Sequence, residues 1–309
     1  MDLTKNPPSS RPSANPEQGL AAYLHTRARL ASWESGFECD PACTRPGCKN
    51  PDLQIQVSLV DLLGAARHLG EPVTGIYRAH YSLGLFTEEK NEWIRRVALK
   101  IKKPCLFLEN NLCGIYPVRP LPCILFPEYL VWQGTLAESA GQDHFRDYLC
   151  LKRPILLSPE RAKVMGKLMR LWERESLISS FYLFNHAPCR LDFSNLTGEL
   201  LHLAQGAGDA AAAEGPEPGE STIPNRVLES FFLERLAGFP PFAGVDEKIR
   251  HLQGLEGQTQ FFRLWQDDRL LRKIQRQGND RAVVFKFAKG KLQAKRRSLA
   301  VGYPPGTCL

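Results

Sequence analysis

Residues 104–127, PCLFLENNLCGIYPVRPLPCILFP, hold Cys105, Cys113 and Cys123 on a segment rich in proline. Two apolar arms flank Glu109-Asn110-Asn111, and asparagine tolerates the left-handed backbone that a tight turn needs, so a β-hairpin is expected there. Such a hairpin brings Cys105 and Cys113 near each other. Pro117, Pro120 and Pro122 then restrict φ, and an irregular but fixed backbone is expected up to Cys123. Upstream, CDPACTRPGC at 39–48 spaces Cys39, Cys43 and Cys48 with three and four residues between them. That is short enough for all three thiols to reach one centre from a loop that Pro41, Pro46 and Gly47 are expected to keep non-helical. Cys150 follows.

The chain has 309 residues and nine cysteines. The odd cysteine count and an N-terminus without an apolar targeting core argue against a disulfide framework. A cytoplasmic protein is expected, its thiols reduced unless a metal holds them. Thiolates are preferred ligands of zinc and of iron–sulfur clusters. The plainer reading is buried cysteine acting as a small hydrophobe, and Cys105, beside Leu106 and Phe107, fits it alone. Seven cysteines gathered within 39–150, on Pro-rich and polar segments, favour metal: Cys39, Cys43, Cys48, Cys105, Cys113, Cys123 and Cys150. They exceed the four that one closed centre needs, so two centres or spare thiols follow. Neither the C-x2-C spacing of zinc ribbons nor the bacterial ferredoxin run is present, which leaves zinc and iron–sulfur both open. For an iron–sulfur centre, Cys39, Cys43, Cys48 and Cys123 rank first, with Cys105, Cys113 and Cys150 next. Four thiolates on one zinc ion leave a net charge of about −2. Arg45, Lys49, Lys102, Lys103 and Arg119 lie near in sequence to offset it, although the lysines read equally well as solvated surface. His186 and His144, three and six residues before Cys189 and Cys150, are extra ligand candidates or ordinary surface and capping residues. Tyr116 is a hydrogen-bond donor to a ligand sulfur or a core residue. Cys308, the penultimate residue, does not fit a prenylation box and reads as a tail thiol.

Around this module the pattern is mostly helical. Helices are expected at 17–35, from Ser58 to Gly70 with Asp61 completing a capping box, at 73–84, and at 159–184 after Ser158-Pro159. Short strands are expected at Leu53–Val57 and 94–102. Residues 1–16 read as disordered and 205–223 as a linker or long loop. Helices near 225–237, 246–253 and 258–276 follow, then a basic hairpin turning at Lys289-Gly290. The expected fold is therefore α+β and mostly helical. In it an irregular cysteine-rich metal-binding module (about 37–155) with small β-hairpins packs on helices within a 17–204 domain, and a C-terminal region spans 224–309. Residues 263–297 carry twelve Lys or Arg against three Asp, a local net of +9 against +7 for the whole chain. This face suits nucleic acid or an acidic protein, or it is the solvated side of elements whose Trp265, Phe285 and Phe287 pack inward. No apolar run approaches the roughly 18 residues of a membrane helix, and no H-E-x-x-H, G-x-S-x-G or P-loop is present.

Cys105, Phe107-Leu108, Cys113, Ile115-Tyr116, Arg119-Pro120, Cys123 and Phe126-Pro127, with Leu59-Val60-Asp61 and Cys150 around them, resemble the YkgJ-type cysteine-cluster family, a zinc- or iron-chelating domain. The resemblance covers about residues 37–150 and implies metal binding by these cysteines. The upstream group has three cysteines where the family commonly has four. Flagellin lysine-N-methylases are similar at a greater distance, which implies protein modification as an alternative. A zinc-stabilised adaptor that binds an acidic protein or nucleic acid through its basic C-terminal face is the other.

Overall fold

Leu20, Leu24 and Ala31 recur along one side of the first helix, α1 (Pro16–Ser32), and are buried there. The computed structural model describes residues 16–33, 35, 37, 42–88, 91–141, 145–192, 233, 242–288 and 291–298. Cys39, His144, Cys308, the tail before residue 16, the 205–223 break, the helix expected near 225–237 apart from Leu233, and the turn at Lys289-Gly290 lie outside them. One helical turn, α2 (Pro46–Lys49), interrupts the loop expected to be non-helical. Pro46 has no N–H to lose and a φ suited to a first turn, so proline starts this helix rather than preventing it.

Ser58 caps α3 (Leu59–Leu69): its hydroxyl accepts the Asp61 N–H and the Asp61 carboxylate accepts the Ser58 N–H, 2.8 Å away. Gly70, at φ 68°, ends the helix in the left-handed conformation. Residues 53–57 form no strand beyond a single bridge from Gln56 to Lys100. The helix expected over 73–84 stops at His80: α4 (Val73–His80) passes directly into β1 (Tyr81–Glu88), which pairs antiparallel with β2 (Asn91–Ile101). Every other β1 residue from Tyr81 to Leu85 packs against the core, a period of two that four residues of helical spacing had masked.

The short hairpin is present, with β3 (Leu108–Glu109) facing β4 (Leu112–Cys113). Asn110 and Asn111 take φ 49° and 65°, the left-handed pair of a type I′ turn. The proline-rich stretch beyond it is not irregular. It forms a 3₁₀ turn at Tyr116–Val118 and then α5 (Leu121–Leu125), with proline in each first turn. Then come α6 (Glu128–Gln133), α7 (Leu136–Ala140), a 3₁₀ turn at Leu149–Lys152, and α8 (Pro159–Phe184), started by Ser158 as expected. β5 (Cys189–Asp192) joins β2, giving the sheet order β1-β2-β5. Beyond lie α9 (Val245–Gln253), α10 (Leu255–Gln266), α11 (Asp268–Asp280), β6 (Arg281–Ala288) and β7 (Lys291–Ser298). The single helix expected over 258–276 is two, because Asp267 breaks it and its carboxylate caps the next, accepting the N–H groups of Arg269 and Leu270 at 2.9 Å.

The described residues make an α+β fold, mostly helical, with a small antiparallel sheet. Its main core joins Leu24, Leu62, Ile76, Leu85, Val97 and Tyr182 to Ile249, Phe261 and Ile274 of the C-terminal helices. No helix among the described residues is long and apolar enough to cross a membrane.

Two buried ion groups fasten the helices. Arg161 of α8 holds Glu128 of α6 through two bonds of 3.2 and 2.5 Å and donates to the Trp33 carbonyl at 2.8 Å. Arg27 of α1 bonds Asp61 of α3 at 2.8 Å and Glu175 of α8 at 2.9 Å, all three buried. Tyr23 donates to the other Glu175 oxygen at 2.6 Å. Ser58 Oγ lies 2.9 Å from an oxygen of each carboxylate, and its single proton serves only one of them. A proton on Glu175 completes the second bond and leaves Arg27 neutralised by Asp61. Burial, with Asp61 beside it, raises the Glu175 pKa from 4.5 to about 7, against the pull of Arg27.

The sign follows from linkage. Between about pH 4.5 and 7 the folded state holds a proton that the unfolded state has released, so stability falls as pH rises through that window. Urea titrations from pH 5 to 8 are expected to show wild-type stability declining relative to Glu175→Gln, with the difference levelling above pH 7. Asp61→Ala, which removes one of Arg27's two buried carboxylate partners and the capping box of α3, is expected to cost about 3–5 kcal/mol.

Candidate functional site

Cys48 of α2, Cys105 just ahead of the hairpin, Cys113 of β4 and Cys123 of α5 come from three separate stretches of chain. Backbone bonds draw them together. The Cys105 N–H donates to the Cys48 carbonyl at 2.7 Å. Asn111, in the hairpin turn, donates from Nδ2 to the Cys43 carbonyl at 3.2 Å, and Arg45 Nε donates to the Asn111 carbonyl at 3.4 Å. Lys103 Nζ donates to the Gly47 carbonyl. The hairpin is thereby docked on the first cysteine loop.

The Cys48 and Cys105 thiols are electrostatically coupled. Cys113 and Cys123 lie within electrostatic reach of Cys48, and Cys123 also of Cys105 and Cys113. All four are half-buried and none forms a disulfide. They stop short of a closed centre: among the described residues no group of three or more Cys, His, Asp or Glu side chains stands ready to hold a metal ion.

The protons on this quartet are unevenly held. The neighbouring Cys105 thiol, then burial, raises the Cys48 pKa, while the Cys48 thiol lowers that of Cys105 against the effect of burial. Burial pushes Cys123 up to about 12 and also raises Cys113. Lys103, Arg45 and Arg119 oppose these rises, a cationic surround that suits bound thiolates.

Comparison with protein-family models, curated proteins and solved structures found no match for the chain.

The other cysteines stand differently. Cys43, buried, and Cys150, in the 3₁₀ turn at Leu149–Lys152, are related to the quartet through the Tyr148 hydroxyl, which feels Cys48, Cys150 and Cys43. Electrostatic coupling links Cys48, Cys105, Cys113 and Cys123; of the four ranked first on spacing, Cys39 lies outside the described residues. Cys189 is fully buried in β5 opposite Val97, its pKa pushed up to about 12 by burial, and is a core residue. His186 accepts the Ser180 hydroxyl on its backbone carbonyl at 2.9 Å. Tyr116 is 61% exposed with the Arg119 guanidinium 3.7 Å over its ring, so the expected burial does not hold. On α11, Arg269, Arg272, Lys273 and Arg276 are exposed while Ile274 is buried. Trp265 packs on Tyr23 at 5.0 Å and on Arg174, as an inward-facing aromatic should.

Sequence reading did not single out Tyr81, Tyr148 or the close fit of Gly47 against Tyr148. Tyr148 stands two residues before Cys150, a signal that was available. Tyr81 was hidden inside an expected helix.

In reduced, metal-free protein, timed alkylation read by mass spectrometry is expected to modify Cys105 ahead of Cys113 and Cys123, with Cys189 last. Cys48→Ala removes the neighbour that lowers the Cys105 pKa and is expected to slow Cys105 severalfold.

Proposed function

We propose that this chain is a metalloprotein in which Cys48, Cys105, Cys113 and Cys123 hold zinc or an iron–sulfur cluster. The observation that carries the reading is the mutual reach of four reduced thiols from three stretches of chain, with Lys103, Arg45 and Arg119 around them. Cys43 and Cys150, near Tyr148, are reserve thiols or part of a second centre with Cys39. The resemblance to cysteine-cluster chelating domains points the same way. When bound, zinc would cross-link the segments, whereas a cluster would add one-electron chemistry. Structural zinc contributes on the order of 10–16 kcal/mol, comparable to the stability of a whole domain. The short turns at 46–49 and 116–118 hold no buried residue, so such a link would help order them.

Purification without oxygen, followed by metal and sulfide analysis, separates the two metals: a brown protein with iron and sulfide, or a colourless one with one zinc per chain. Metal-free protein titrated with Co²⁺ is expected to develop sulfur-to-metal charge-transfer absorption, weakened by Cys48→Ser and by Cys123→Ser. Absence of any retained metal together with absence of that absorption would overturn the reading. Because bound thiolates must lose their protons, affinity is expected to rise with pH.

The exposed cations of α11 favour a second reading, an adaptor whose basic face meets an acidic partner. Titration with duplex DNA and with an acidic peptide at low and high salt tests it, and no binding at low salt removes it. Methyl transfer rests on the family resemblance alone.

A further inference from the structure

One backbone bond joins two cysteines from separate stretches of chain: the Cys105 N–H donates to the Cys48 carbonyl at 2.7 Å. That bond limits how far apart the two residues stand. With standard bond lengths and angles on either side of it, the two Cα atoms cannot be more than about 6.5 Å apart. Disulfides span Cα separations of about 4.4–6.8 Å. The backbone therefore already holds Cys48 and Cys105 at bridging distance, and only their side chains have to turn. Their thiols are electrostatically coupled, each the first influence on the other.

Further contacts keep that distance fixed. Lys103 Nζ donates to the Gly47 carbonyl, so the chain is tied just ahead of both cysteines. Asn111 and Arg45 bind the hairpin turn to the loop at Cys43. The neighbouring thiols are placed otherwise. Cys123 gives its N–H to the Pro120 carbonyl at 2.9 Å, within its own turn, and Cys113 is paired with Leu108 across the hairpin. Cys48 and Cys105 are both reduced and half-buried, which leaves them open to a small oxidant.

We infer that Cys48 and Cys105 form a thiol-oxidation site that closes reversibly to a disulfide with hydrogen peroxide. One thiolate attacks the peroxide, breaking its O–O bond and giving a sulfenic acid and water; the second sulfur then displaces the hydroxyl as a second water. The two sulfurs lose two electrons, the peroxide gains them, and both thiol protons leave in water. A dithiol restores the pair by exchange. The bridge fastens the first cysteine loop to the hairpin covalently and withdraws two thiols from any metal. The inference goes beyond the metal-binding reading and does not rest on it, because the bridge forms in metal-free chain.

The test uses the full chain, reduced, stripped of metal by a chelator and exposed to graded hydrogen peroxide. Non-reducing peptide mapping by mass spectrometry is expected to show a Cys48–Cys105 linked peptide that dithiothreitol removes and that persists in Cys113→Ser and Cys123→Ser. In the wild-type chain, the equilibrium constant for forming the link from oxidised glutathione is expected to be about tenfold or more higher when folded than in urea, since the fold holds the residues close. Links among other cysteines in its place, a link that forms as readily in urea, or oxidation to sulfinic acid without any link would overturn the inference. If the chain takes up no Co²⁺, the metal-binding reading falls while the linked peptide still supports this one.

Discussion

The buried pairing of Arg27 with Asp61 and Glu175 is the constraint on which the arrangement of this protein depends. It joins α1, α3 and α8 at one point, and a longer contact of 3.5 Å runs from Arg27 to the Arg119 carbonyl, four residues before Cys123. Burying two carboxylates with one guanidinium is unfavourable unless every oxygen has a partner. Here Tyr23, Ser58 and the backbone of the α3 cap supply them. The cap and the ion group are one structure: Asp61 satisfies the first turn of α3 and neutralises Arg27 with its other oxygen. This couples the register of α3 to the position of the bend that carries Cys123.

The polypeptide on the other side of that bend has a different physics. Residues 42–50 and 104–127 fold as short turns, a hairpin with two-residue strands and α-helices of four and five residues. Such elements are too short to be stable alone. They are tied to one another by backbone bonds such as Cys105 to Cys48 and by the turn asparagine reaching Cys43. Leu106, Leu112 and Tyr116 stay exposed on this module, while Phe107 and Ile115 anchor it to the main core and Leu121 and Leu125 to a second cluster on α8.

Local signals were legible in sequence where one residue type has one physical use. Ser58 with Asp61, Gly70, Asn110-Asn111 and Ser158-Pro159 each did what capping and turn chemistry dictates. Proline misled, because its fixed φ suits a first helical turn as well as an irregular bend, and Pro46 and Pro122 took the helical option. The passage from α4 to β1 was illegible because Tyr81, Leu83 and Leu85 fit both periods over so short a run. Long-range partners were least legible. Nothing local pairs Glu128 with Arg161 or Arg27 with Glu175, which stand 33 and 148 positions apart. For the cysteines, spacing measures distance along the chain, whereas the approach of Cys105 to Cys48 is set by backbone bonding between the two segments.

The two halves of the molecule meet in their electrostatics. Asp61 raises the pKa of Cys123 and of Tyr81, so the ion group that orders the helices disfavours negative charge at the thiols beside it. Left to itself, that neighbourhood keeps Cys123 protonated and the Tyr81 hydroxyl without an acceptor. Lys103 opposes Asp61 at Cys123, and Arg27 opposes it at Tyr81. The charges that fix the helices and the cations beside the cysteine loops therefore act against each other at the same few side chains, so a change in the ion group is felt at the thiols as well as in the helix core.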